Sequence, residues 1–162
     1  MKEEIKRLYR FTTLPVLLDF LERKKLVLLD PKHWDDKNDS EVILAYKEKK
    51  EIENLFALCF SHGSETIHHW KTFANGSSGC CIEFNAEKLF TLFEKAELKH
   101  GEVDYRKIDN IKAESFELDQ VPFIKRAPYK CETEYRVLWE GDTKEKVYEI
   151  DVPLDAISKI TI

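Results

Sequence analysis

Glu132, Glu134 and Arg136 place two carboxylates and a guanidinium at intervals of two residues within residues 130–140, K-C-E-T-E-Y-R-V-L-W-E. That stretch alternates, is rich in β-branched and aromatic residues, and contains neither Gly nor Pro, which predicts a strand. Strand side chains point to opposite faces in turn. Glu132, Glu134 and Arg136 then share one face, about 7 Å apart at each step of two residues. Cys131, Thr133, Tyr135, Val137 and Trp139 share the other face, suited to a core. Arg136 can hold one carboxylate in a fork and leave the second free for chemistry. The competing explanation is a solvent-facing ladder of salt bridges, worth little energetically.

The rest of the chain must position these groups. Its 162 residues predict a single domain, residues 1–162, large enough to bury a core without staples. With 43% hydrophobic and 35% charged residues, the composition is that of a soluble globular protein. A net charge of −5 argues against broad non-specific binding to nucleic acid. No apolar run approaches the roughly 18 residues of a membrane helix. The first residues, M-K-E-E-I-K-R, have no apolar segment after them, so no secretory signal is read. The expected location is cytoplasmic, with no membrane partner.

Cys59, Cys80, Cys81 and Cys131 form no C-x-x-C pair and lie in apolar, strand-like runs. Buried reduced thiols are expected, and no zinc site. His68 and His69 lack a Cys or carboxylate at a familiar ligand spacing, so no metal is assigned.

Taken in order, residues 5–11 predict a first strand with Arg10 near its end. Thr12 or Thr13 caps a helix with Pro15 in its first turn. Leu14, Leu17, Leu18 and Leu21 form its core stripe, and Lys24 and Lys25 suit its C-terminus. A short strand, 26–29, leads into a turn-rich loop, 30–40, where Trp34, Asn38 and Asp39 are candidate binding residues. Asp39 or Ser40 is expected to cap a helix over 41–53. The apolar run 55–61, L-F-A-L-C-F-S, reads as a buried central strand ending in a hydroxyl. Residues 62–79 read as a loop with one helical turn. A strand over 80–84 precedes an Asn85-capped helix over 86–96. Residues 98–105 read as a strand broken by Gly101, and 106–120 as a polar loop. Residues 121–130 carry two prolines and the basic residues Lys125, Arg126 and Lys130. After the strand at 130–140, Gly141-Asp142 predicts a hairpin into 146–152, and 159–162 is a last short strand. The fold class is α+β, a curved or split, mostly antiparallel sheet with helices packed on it.

L-Y-R-F near the start, N-D-x-E in the long loop, C-F-S, the following Trp, G-C-C-I-E-F, V-x-Y, K-R and E-x-E-Y-R occur in an order that resembles a bacterial family known as domain of unknown function twenty-nine seventy-one. The resemblance covers residues 8–162. Ser40 stands where that family's loop usually has proline. Arg10, Ser61 and Glu132-x-Glu134 are also similar to the Arg–Ser–Glu pattern of ADP-ribosyltransferases, although the middle motif is C-F-S and not S-x-S.

This second resemblance implies an ADP-ribosyltransferase-like fold and an NAD-dependent enzyme, a toxin or defence component. Breaking the nicotinamide–ribose bond of NAD builds positive charge on the sugar, and a carboxylate at the ribose stabilises it. The resemblance assigns that place to Glu134, with Glu132 positioning an acceptor and Ser61 orienting the carboxylate. Arg10 would grip the pyrophosphate, Tyr9 and Trp70 would line the cofactor, Trp70 or Tyr135 would stack on nicotinamide, and Arg136 would orient the glutamates. The acceptor would be a protein or nucleic acid. No G-x-G-x-x-G and no P-loop occurs. The alternative is a non-catalytic module whose cleft binds a nucleotide or protein. A weaker third reading is a hydrolase pairing Cys59 with His62 or His69.

Overall fold

The computed structural model describes residues 4–113 and 115–162. The element order is β1 (Arg7–Thr13), α1 (Leu14–Arg23), β2 (Lys25–Leu28), α2 (Lys37–Lys49), β3 (Asn54–Ser61), α3 (Ile67–Phe73), β4 (Gly79–Asn85), α4 (Ala86–Lys95), β5 (Lys99–Glu102), β6 (Asp104–Arg106), α5 (Ile108–Ala113), β7 (Ile124–Arg126), β8 (Glu134–Gly141), β9 (Tyr148–Asp151) and β10 (Ile157–Thr161). Six strands form one sheet in the order β10-β4-β1-β3-β8-β5, and every neighbouring pair is antiparallel. The class is α+β. No helix among the described residues is long and apolar enough to cross a membrane.

The sheet is split. β1 lies alongside β4 over seven registered positions, but meets β3 at one, Tyr9 opposite Ser61. Arg10 reaches over the gap and donates to the Cys59 carbonyl at 3.0 Å, giving a partner to a ladder acceptor that β1 does not supply.

One sheet face is apolar. Leu8, Leu58, Phe60, Ile82, Phe84 and Val137 pack beneath α1, α4 and the β2–β9 pair. The other is covered piecemeal. Ile43 and Tyr46 of α2 pack on Leu55, Ala57 and Leu138, while Trp70 of α3 and Ala74 pack on Phe11 and Cys81. Between these two patches the sheet carries polar side chains, and there the cavity lies.

Several expectations are corrected. The strand predicted at 130 begins at Glu134, because Pro128 sits in the first turn of a 3-10 segment, Ala127–Glu132, that ends on a left-handed Thr133 (φ 43°). Gly63 permits that bend, since a Cβ there would lie 2.6 Å from the Thr133 hydroxyl. Cys131 is consequently exposed, not buried. The α2 cap is Asp36, whose carboxylate accepts from the Asp39 amide at 3.2 Å, and not Asp39 or Ser40. Residues 146–152 do not form a hairpin with β8; β9 pairs instead with β2, which buries Ile150 and Leu26 together. The break after β5 falls at Val103, whose amide donates to the Glu134 carbonyl at 2.9 Å, and not at Gly101. The stretch expected as a polar loop contains α5 and the start of a 3-10 segment, Leu118–Phe123; Glu114 within it lies outside the described residues.

Candidate functional site

The polar face of β8 is not solvated. Arg136 is fully buried, and Glu134 and Glu132 are each only 6% exposed. Arg136 uses its whole donor set. Its Nη atoms hold Asp39 in a fork at 3.2 and 2.7 Å. Nε donates to Glu134 Oε1 at 2.8 Å, with Nη2 2.7 Å from the same oxygen. Nη1 also donates to the Pro122 carbonyl at 2.7 Å. The Trp34 ring lies over the guanidinium, 5.1 Å from its centroid.

Lys125 of β7 extends the network. Its Nζ lies 2.6 Å from Glu132, 3.5 Å from both Glu134 and Asp39, and 3.6 Å from Asp36. Glu132 is therefore beside Glu134 although it is not on the strand. Burial opposes the charge on Glu134, but Arg136 and Lys125 outweigh it and hold the carboxyl below its ordinary range, so it is ionised at neutral pH. Burial likewise opposes the charges on Arg136 and Lys125, and the surrounding carboxylates push both pKa values up.

Distant contacts hold this floor. The 3-10 segment that offers the Pro122 carbonyl is tied down at Asp119, which pairs with Lys50 and Lys99. Lys99 also bonds Glu140 at 2.9 Å, and Glu140 accepts from the Tyr46 hydroxyl at 2.5 Å.

Asp36, Asp39, Lys125, Glu132 and Glu134 border a cavity of about 640 Å³, and Arg136 lies outside its lining. Arg10, Ser61, Glu132 and Glu134 all line it, and so do Tyr9 and Trp34. The lining draws on both faces of β3, Leu58 and Phe60 as well as Cys59 and Ser61, as a cavity running into the split must. Arg10 is half-buried, and burial pulls its pKa down. Among the described residues it has no carboxylate partner, only the Cys59 carbonyl. An enclosed guanidinium without a counter-ion is costly.

Two sequence candidates lie elsewhere. Trp70 packs edge-on against Phe11, with ring centroids 5.4 Å apart, and does not border the cavity. Tyr135 lies on the apolar face, where its hydroxyl bonds His100 at 2.7 Å. Arg136 is placed as the support beneath the carboxylates. Lys125 and Asp36 were not singled out for the site from sequence. Lys125 stood only in a basic cluster, and its neutralisation by four acids is a tertiary fact.

The hydroxyl and imidazole chemistry is fixed by hydrogen bonding. The Thr66 amide donates to His69 Nδ1 at 3.1 Å, so that nitrogen is an acceptor. His69 Nε2 then carries the proton and donates to the Glu132 carbonyl at 3.0 Å. Ser61 Oγ lies 3.3 Å from the same nitrogen and 2.7 Å from Thr133 Oγ1. His69 is thus a neutral tie between α3 and the chain before β8, with no lone pair toward Ser61. Burial, then the nearby Glu134 charge, push the Cys59 thiol well above its usual pKa, and such a thiol is a poor nucleophile. A Ser–His or Cys–His hydrolase is disfavoured by both facts. Among the described residues no group of three or more His, Cys, Asp or Glu is arranged to hold a metal ion.

A family model described as protein of unknown function (DUF2971) matches residues 69–137. The matched stretch carries His68's neighbour His69, Lys125, Glu132, Glu134 and Arg136, but not Arg10 or Ser61. No curated protein and no solved structure gives a match.

Proposed function

We propose that the cavity binds NAD as a substrate and that the protein is an ADP-ribosyltransferase-like enzyme, with a fold of that kind, acting as a toxin or defence component on a protein or nucleic-acid acceptor. One observation carries the reading: an ionised Glu134 and Arg10, a guanidinium without a carboxylate partner among the described residues, line the same cavity, as do Ser61 and Glu132. A dinucleotide with anionic phosphates and a sugar that becomes cationic during cleavage complements both charges. In the reaction the ribose–nicotinamide bond breaks, its electron pair leaves with nicotinamide, and the acceptor's oxygen or nitrogen bonds to the ribose carbon. Glu134 stabilises the sugar cation, and Glu132 meets the acceptor. Tyr9 and Trp34 supply aromatic surface at the cavity wall.

The completeness of the Arg136 network favours one alternative, a non-catalytic nucleotide- or protein-binding module in which the carboxylates only fasten α2 to the sheet. Ligand-dependent melting tests the NAD reading. At about a hundred times the dissociation constant, NAD should add about 2.7 kcal/mol of stability, a rise of roughly 5–10 °C for a chain of this length. Arg10→Ala should lose that rise. A wild-type melting curve that does not move in millimolar NAD refutes the claim.

A further inference from the structure

We propose that His68 is a catalytic residue, the base that takes the proton from the attacking water or hydroxyl; this rests on the reading of the cavity as an NAD-cleaving site. His68 Nε2 is itself shielded and, among the described residues, has no hydrogen-bond partner, although the side chain as a whole is 41% exposed. Buried polar atoms are nearly always bonded, and an exception calls for a cause. His68 lines the cavity together with Thr72 and Phe73. Its Nε2 faces Glu132 Oε1 at 3.6 Å, too far for a hydrogen bond.

The neighbouring contacts fix that placement. Nδ1 lies 3.4 Å from the Thr72 hydroxyl, and the ring meets Phe73 edge-on. His69, the next residue, ties α3 to the Glu132 carbonyl. Lys125 occupies the far oxygen of Glu132 at 2.6 Å, which leaves Oε1 to the imidazole. The charged and titratable groups facing His68 are therefore Glu132, Lys125 behind it, and neutral His69 on its own helix. As the ribose–nicotinamide bond breaks and the oxygen bonds to the ribose carbon, the oxygen's proton passes to Nε2. Glu132 stabilises the imidazolium, which returns the proton to solvent. An acceptor with an ionisable O–H, not one already cationic, suits this base.

The test compares wild type, His68→Ala and His68→Gln by nicotinamide release from NAD and by melting with and without NAD. His68→Ala should lose turnover about a hundredfold or more and keep the NAD-induced rise in melting temperature. Added imidazole should restore part of the rate. Should His68→Ala fold poorly, His68→Gln carries the same loss at an unchanged melting temperature. Unchanged turnover in the variants, or loss of rate without imidazole rescue in a folded His68→Ala, would overturn the proposal while NAD cleavage stands. A wild type that releases no nicotinamide would defeat the reading of the cavity, and this proposal with it.

Discussion

The two faces of β8 are equally dry and are held together by opposite means. Tyr135 and Val137 enter an apolar core with Phe60, Phe93 and Leu58. Glu134 and Arg136, on the same strand, enter an ionic core with Asp39 and Lys125. An apolar core tolerates small losses gradually. A buried ionic network is unforgiving when one partner is removed, yet contributes little net stability when complete. A protein that only needed to bury this face would do so more cheaply with aliphatic residues. Asp39, Lys125 and Glu134 of this network line the same cavity as Arg10, and the proposed function rests on that juxtaposition.

The largest effect should come from removing the cation at the centre. Arg136→Met leaves Asp39 and Glu134 buried without their fork and should cost about 3–5 kcal/mol in urea unfolding. On the opposite face, Leu58→Ala should cost about 2–5 kcal/mol by cavity formation. The two should separate by pH. The folded-state pKa of Glu134 lies below its ordinary 4.5, so its contribution is complete above about pH 4.5 and is lost as pH falls through the lower folded value. Arg136 and Lys125 have raised values and keep their charge throughout that range. Wild type and Leu58→Ala should therefore lose stability with the same slope below about pH 4.5, and Glu134→Gln with a shallower one. Equal slopes in all three would remove the ionic face from the account. The smallest effect belongs to exposed pairs: Arg23→Ala, which gives up Asp19 and Glu149 at the end of α1, should cost under about 1 kcal/mol.

The sequence reveals which residues share a face but not what covers that face. The buried run at β3 and the Asn85 cap follow from local periodicity and capping chemistry, and they are present. The stripe expected on α1 is only partly so: Leu17 is buried and Leu21 half-buried, but Leu14 and Leu18 are exposed and Phe20 enters the core in their place. Glu134 and Arg136 do share a face, and that face was expected to be solvated or a cleft wall. Its cover is Asp39 of α2 and Pro122, 97 and 14 residues from Arg136 in the chain, contacts no local pattern encodes. Glu132 was placed on the strand because alternation continues through it; Pro128 and the left-handed Thr133 override that pattern. Of Trp34 and Trp70, it is Trp34 that lines the cavity. Both stand in polar, turn-rich segments, and only the path of α2 across the sheet distinguishes them.

The most direct measurement is to assay nicotinamide release by wild type and Glu134→Gln while melting both. Asp39 keeps Arg136 in its fork, and three other carboxylates surround Lys125. The variant should therefore keep its fold and its NAD-induced stabilisation. Its turnover should fall at least about a hundredfold, the size of a lost transition-state electrostatic contact. A wild type without turnover, together with a Glu134→Gln destabilised by about 3–5 kcal/mol, would contradict the account and leave Glu134 a structural member of a binding module.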